Sequence, residues 1–252
     1  PEGFVFGSEL KALLRYPGVP RGIDPVALQQ YLLCHIIFTP RAIFSGVRKL
    51  PAAHYLLVEN GVAQAPQPYW RYEFANPPEK RSEREWLALT DETLHASVVR
   101  RLEADVPLGV FLSGGVDSSL VVAQMCRSLP PASVHSFSIT LDDPAYDESK
   151  WSRWAARVMG THHHEFKLSV DGMLDVIDKV LANMDEPMAD SSIIPTYIVC
   201  ALTRQHVTVA LAGDSGDELF GGYPKYFAQR WAAALQHIPR GLRTWLLEKP
   251  LA

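Results

Sequence analysis

The sequence has little of what assigns a chain to a special class. Its three cysteines, Cys34, Cys126 and Cys200, lie far apart without paired spacing, which excludes a disulfide framework or a cysteine zinc site and fits a reducing cytoplasm. No apolar run approaches the roughly 20 residues that span a bilayer, and the N-terminus carries neither a basic region before an apolar stretch nor a cleavage site. No membrane partner is therefore expected, and the location read from the sequence is cytoplasmic. An excess of one charge is also missing. Lys and Arg number 24 against 28 Asp and Glu, scattered along the chain, which excludes the basic footprint of a nucleic-acid binder. There is no internal repeat and no low-complexity tract. The chain begins at Pro1 in what reads as a strand leading into a helix, and ends without a tail-like composition, so it is expected to be a segment of a longer protein.

What is present is enough apolar sequence, 47% of 252 residues, to bury a core in one or two domains. Residues 25–34 read as a helix, and 53–59 as a strand turning at Asn60-Gly61. A Pro-, Gln- and Asn-rich stretch over residues 66–84, around Tyr69-Trp70-Arg71-Tyr72, reads as a domain linker. Beyond it, residues 84–101 have helical spacing and Val110-Phe111-Leu112 is a short strand. Strands at 135–141, 163–167 and 207–211 then alternate with helices at 148–159, 170–184 and 194–204. This alternation predicts an α/β fold with a parallel, doubly wound sheet.

Two loops carry the chemistry. Ser113-Gly114-Gly115-Val116-Asp117-Ser118-Ser119 falls where a strand ends and a helix opens. Its glycines allow close backbone approach to an anion, the turn and helix N–H groups point at it, and the serines add hydroxyl donors. Asp117 would repel bare phosphate, so a cation between them is implied, and Mg²⁺ is the usual one. A plain helix-capping turn would need neither the aspartate nor the preceding strand. The second loop runs Ala212-Gly213-Asp214-Ser215-Gly216-Asp217-Glu218-Leu219-Phe220-Gly221-Gly222-Tyr223. Three carboxylates and four glycines suggest close backbone approach rather than a solvated acidic loop. Because parallel strands aim their carboxyl ends at one crevice, the two loops are expected to converge on one ligand.

The first loop resembles the pyrophosphate loop of N-type ATP pyrophosphatases, and the second resembles the loop of glutamine-dependent asparagine synthetases. No Walker pattern is present. The resemblance implies cleavage of ATP between the α and β phosphates. It implies ATP contacts from Leu112, Ser113, Gly114, Gly115, Asp117, Ser118, Ser119, Ile139, Ala212 and Gly213, and Mg²⁺ at Asp117 and Asp217. Asp214 stands where the family has a glutamate that helps form the acyl-adenylate, and is one methylene shorter. With Asp117 and Asp217 it makes up the expected catalytic set.

The resemblance extends to Gly7-Ser8-Glu9-Leu10-Lys11-Ala12-Leu13-Leu14, to Phe44-Ser45-Gly46-Val47-Arg48-Lys49-Leu50-Pro51 and to Tyr69-Trp70, which are similar to the end of an N-terminal-nucleophile glutaminase. It implies a glutaminase remnant over residues 1–72 and a synthetase domain over 73–252, truncated at its C-terminus. The glutaminase nucleophile, a cysteine at the very start of the family's chain, is expected to be absent from this segment, which begins with Pro1. Substrates implied are ATP, aspartate, and ammonia or glutamine; a homodimer is among the expected assemblies. The alternatives are a relative that amidates another carboxylate or closes a lactam ring, and a non-catalytic nucleotide-binding fragment.

Two smaller signals have structural readings. Asp147-Glu148-Ser149 opens a helix, where capping and the helix dipole explain the acids. In Gly160-Thr161-His162-His163-His164-Glu165, adjacent histidines on a strand point to opposite faces and cannot all meet one ion, so they read as structural.

Overall fold

A computed structural model describes residues 3–73, 79–142 and 147–237. Pro1 and Glu2 of the opening segment, 74–78 of the expected linker and 238–252 of the expected synthetase domain lie outside the described residues. In chain order the helices are α1 (Leu10–Leu13), α2 (Pro25–Cys34), α3 (Glu83–Val99), α4 (Val116–Ser128), α5 (Ser149–Met159), α6 (Val170–Leu174), α7 (Ile177–Asn183), α8 (Ile193–Thr203), α9 (Gly216–Phe220) and α10 (Pro224–Gln236). The strands are β1 (His54–Tyr55), β2 (Val58–Glu59), β3 (Val62–Ala63), β4 (Gln67–Pro68), β5 (Leu108–Phe111), β6 (His135–Leu141), β7 (His162–Leu168) and β8 (Val209–Leu211).

Internal contacts divide the chain into two compact units. One contains the residues up to Leu87 together with Leu168–Cys200; the other contains Ala88–Lys167 and the residues from Ala201 on.

In the first unit, Asp24 caps α2 by accepting from the N–H groups of Val26 and Ala27, with Pro25 opening the helix. Ala27, Leu10, Ile37 and Ile43 form a small buried cluster. Residues 3–9, the described part of the opening segment, form no strand before α1. The chain returns to this unit at residues 168–200, and the return is tied down by two carboxylates. Asp185 accepts from the N–H of Leu10 (2.8 Å), and Glu186 accepts from the N–H of Ile43 (2.9 Å) and from Lys49 Nζ (2.6 Å). Residues 170–184 are two short helices rather than the single one expected, interrupted at Asp175 and Val176. Ile36, Ile37, Lys49, Val180, Met188 and Tyr197 are among the residues lining a cavity of about 450 Å³ in this unit.

The second unit is a mixed α/β layer structure. Its sheet has the order β7-β6-β5-β8, and β5 pairs in parallel with both β6 and β8. β8 begins at Val209, later than the 207 expected, because the N–H groups of Thr208 and Val209 both reach the carbonyl of Pro107 before the ladder starts. The main core joins Val98 of α3, Val110 and Leu112 at β5, Val122 and Met125 of α4, Val134, and Ala155 and Ala156 of α5. Burying each such aliphatic side chain contributes roughly 1.5–3 kcal/mol, which fixes the helices on the sheet. Phe137 of β6 is fully buried, and Gly109 makes room for its ring: a Cβ there would lie 2.5 Å from Phe137 Cε2.

Candidate functional site

Strand order decides where a ligand site falls. From β5 the chain builds outward to β6 and then β7, and returns to the other side of β5 as β8. The direction of winding therefore reverses between β5 and β8, and loops leaving the carboxyl ends of these two strands face a shared crevice. Those loops are Ser113–Ser119 and Ala212–Phe220.

The first loop is shaped by Ser118, which is buried. Its hydroxyl oxygen lies 2.9 Å from Ser113 Oγ and 3.3 Å from the Gly115 carbonyl, and accepts from the Ser113 N–H at 3.2 Å. Ser113 Oγ in turn accepts from the N–H of Gly115 (3.2 Å). Gly114 sits at φ +87°, and a Cβ on it would come within 2.5 Å of the Ser152 nitrogen and the Trp151 carbonyl carbon, so α5 presses directly on the turn. Gly115 is the residue before α4, with no side-chain cap. By helix geometry the N–H groups of Val116, Asp117 and Ser118 have no intrahelical acceptor, the arrangement by which helix starts bind anions, and Ser118 is the buried member of the three. Ser119 is half-buried.

The second loop packs against the first through its glycines. A Cβ on Gly213 would lie 2.7 Å from Ser118 N and 2.9 Å from Asp117 C. One on Gly216 would lie 2.5 Å from the carboxylate carbon of Asp117. Gly222 lies against the carboxylate of Asp217, and its N–H donates to the Asp217 carbonyl (3.0 Å). Ser215 precedes α9 in the left-handed region at φ +71°. Asp117 and Asp217 are half-buried and Asp214 is exposed. Among the described residues no lysine or arginine pairs with these three, whereas Glu218 accepts from the Tyr223 hydroxyl (2.9 Å). The Asp117 carboxylate lies against Gly216 of the loop that carries Asp214 and Asp217, and carboxylates without a paired cationic side chain are the donor type that suits a hard oxygen-seeking cation shared with phosphate oxygens.

The remaining expected residues are placed differently. Leu112 is fully buried in the core and its N–H donates to the Phe137 carbonyl (2.8 Å), so its side chain has no face for a ligand. Ile139 is half-buried on β6, and Ala212 is half-buried at the end of β8. Asp147 bonds the N–H (3.1 Å) and hydroxyl (2.8 Å) of Ser149. The hydroxyl chiefly, then the N–H, holds its carboxyl below the usual value.

Asp185 and Glu186 are functional in the fold yet silent in the sequence. Their only local signal is an acidic pair before Pro187, while their partners lie 137 or more positions away.

The histidines separate by face. His163 lies between the hydroxyls of Ser136 (2.9 Å) and Ser138 (3.1 Å). His162 and His164 share the opposite face with His135 and Phe137 of β6, and with His206, whose ring centroid is 4.3 Å from that of His164. Burial, then the neighbouring imidazoles, press His164 down to about 4.

Fold and site together define a mixed α/β protein with two glycine-rich loops, one acidic, meeting at the switch point of a parallel sheet. The chain belongs to the asparagine synthase family. The profile described as "Asparagine synthase" matches residues 89–251, and that described as "Glutamine amidotransferase domain" matches residues 1–70. The chain is 31% identical over 242 residues to putative asparagine synthetase [glutamine-hydrolyzing] 2 of Methanocaldococcus jannaschii, covering 95% of this chain and 47% of the relative. It is 30% identical over 243 residues to asparagine synthetase [glutamine-hydrolyzing] 1 of Bacillus subtilis, covering 96% and 38%. The chain thus spans less than half the length of these relatives. Among solved structures, the NH3-dependent NAD synthetase of Campylobacter jejuni aligns at a TM-score of 0.38 and 14% identity, over 54% of this chain and 60% of that one.

Proposed function

We propose that the chain supplies the ATP-using centre of a glutamine-dependent asparagine synthetase. The observation that supports this most is the contact between the two loops at Asp117 and Gly216, which puts an anion-binding turn beside an acidic loop. Residues 73–252 form the synthetase part, and residues 1–72 the trailing part of a glutaminase that delivers ammonia in the full protein.

A carboxylate is a poor acyl donor to ammonia until it carries a good leaving group. The side-chain carboxylate of aspartate attacks the α-phosphorus of ATP; pyrophosphate departs and β-aspartyl-AMP forms. Ammonia then adds to the acyl carbon, AMP leaves, and asparagine results after loss of a proton. Ser113, Gly114, Gly115, Ser119 and the open N–H groups of α4 hold the departing pyrophosphate, while Ser118 fixes the turn. Asp117 and Asp217 would hold Mg²⁺, which would supply positive charge against the phosphate oxygens. Ile139 flanks the adenine, and Ala212 and Gly213 line the nucleotide with backbone. Asp214 acts in adenylate formation. The protein works in the cytoplasm as a soluble enzyme.

A second reading, a related ligase acting on another carboxylate, is favoured by Asp214, which is shorter than the glutamate of the synthetase loop it resembles.

The test is exchange of labelled pyrophosphate into ATP by the 252-residue chain with Mg²⁺, across aspartate and a panel of carboxylic acids. Exchange with aspartate alone, lost in Asp117→Ala, is the expected result. Exchange driven by another acid transfers the chemistry to the second reading. ATP binding that is unchanged in Asp117→Ala at saturating Mg²⁺, with no exchange for any acid, overturns both.

A further inference from the structure

The histidine face of the sheet has a geometry that no nucleotide role uses. His162 and His164 are two residues apart on β7, so both project to one side, and His135 on the adjacent strand β6 projects to the same side. His135 Nδ1 and His164 Nε2 are 3.0 Å apart, and one ring nitrogen from each of the three lies within 4.8 Å of the others. Two nitrogens bound to a tetrahedral zinc at about 2.0–2.1 Å stand roughly 3.3 Å apart. The pair is thus already at ligand spacing, and exposed His162 stacks beside both, its ring centroid 4.9 Å from that of His135 and 4.6 Å from that of His164. No carboxylate or hydroxyl is bonded to His135 or His164 among the described residues; each has the other as its ring-nitrogen partner. Two neutral imidazoles at this distance share one proton in an N–H···N hydrogen bond, and a tautomer shift of that proton to the ring nitrogen facing away leaves both facing lone pairs for a metal ion.

We propose that His135, His162 and His164 form a three-imidazole site for a divalent transition-metal ion, with Zn²⁺ the expected occupant and water in the fourth position. Imidazole ligands without thiolate or carboxylate suit Zn²⁺, Cu²⁺ or Ni²⁺ and not Mg²⁺, so this site does not compete for the cation of the acidic loop. It is separate in space as well. β5 and β6 are parallel with His135 level with Gly109, four residues before Ser113, which places the histidines about 13 Å along the strand direction from the phosphate loop. An ion here joins β6 to β7, the strand at the edge of the sheet. The role that follows is stabilisation of that edge. His206 lies against His164 with its ring tilted by 41° and is not needed as a ligand.

The experiment is equilibrium dialysis of the untagged chain against Zn²⁺ in excess Mg²⁺, with thermal unfolding followed on the same samples. One Zn²⁺ per chain and a rise in Tm are expected. Both should weaken in His162→Gln, an exposed position that leaves the fold intact, by at least about the tenfold that loss of even an outer-shell partner causes. His54→Gln, outside the cluster, should change neither. Co²⁺ substitution should give a tetrahedral visible spectrum without a thiolate charge-transfer band. Absence of saturable binding overturns the proposal. So does binding of undiminished strength in His162→Gln, or a thiolate band, which would assign the ion to Cys34 or Cys200.

Discussion

Gly216 faces Asp117 so closely that the smallest side chain would meet its carboxylate at 2.5 Å from Cγ and 2.6 Å from Oδ2. The obstacle is the end of a side chain, so Gly216→Ala is expected to fold and to push the Asp117 carboxylate aside. Alanine is also the better helix former at the start of α9. Pyrophosphate exchange should fall by about 100-fold, the cost of misplacing a catalytic group by about 1 Å. An unchanged rate in a folded variant would remove the Asp117 carboxylate from the mechanism.

Gly114 and Gly213 meet backbone instead. A Cβ at Gly213 would strike Ser118 N and Asp117 C, and one at Gly114 would strike the start of α5 while occupying φ +87°. Neither obstacle can rotate away. Gly114→Ala and Gly213→Ala should each lose about 1–3 kcal/mol of stability by overpacking, measured from urea unfolding midpoints. A midpoint equal to the parent's would show the loops to be looser than these contacts imply.

Glu186 serves two donors, the Ile43 N–H and the Lys49 ammonium, which also donates to the Ile37 carbonyl (2.9 Å). Glu186→Ala leaves the Ile43 N–H unpaired and the Lys49 ammonium without its counter-charge in a partly buried position, and should cost about 1–3 kcal/mol. Glu186→Gln keeps an acceptor for one of them and should cost less. Equal losses in the two variants would show that the charge, not the bonding, is what matters.

The Asp147 carboxyl is held low by the Ser149 hydroxyl and N–H, so folding favours its ionised form. Its contribution is fully present above the ordinary aspartate value and is lost as pH falls through the lowered one. The stability difference between the parent and Asp147→Ala should therefore be largest near neutrality and shrink in acid. A difference independent of pH down to about pH 2 would count against the hydrogen bonds from Ser149 as its source.

Local patterns make some elements legible in the amino-acid order alone. β6 matches its expected limits because Phe137 and Ile139 alternate with Ser136 and Ser138, and α2 does because Asp24-Pro25 is a complete start signal. The two loops are legible because glycine and aspartate after an apolar strand have few other uses. The break between α6 and α7 is not, since Met173, Leu174, Ile177 and Val180 keep helical spacing across it while the backbone ladder is interrupted. Face-by-face reasoning within β7 separates His163 from its neighbours correctly but is blind to His135, 29 positions from His164, which completes the set from the adjacent strand.

Because residues 168–200 return to the first unit, the chain resists dissection. A polypeptide started at residue 89, where the synthase match begins, would keep Asp185 and Glu186 but discard Leu10, Ile43 and Lys49, their partners. Two carboxylates would be left bare beside the apolar surface of Val180, Met188 and Tyr197. Such a fragment exposes that apolar surface and is set to aggregate, so a cut at the synthase boundary severs contacts that residues 168–200 make with the N-terminal segment.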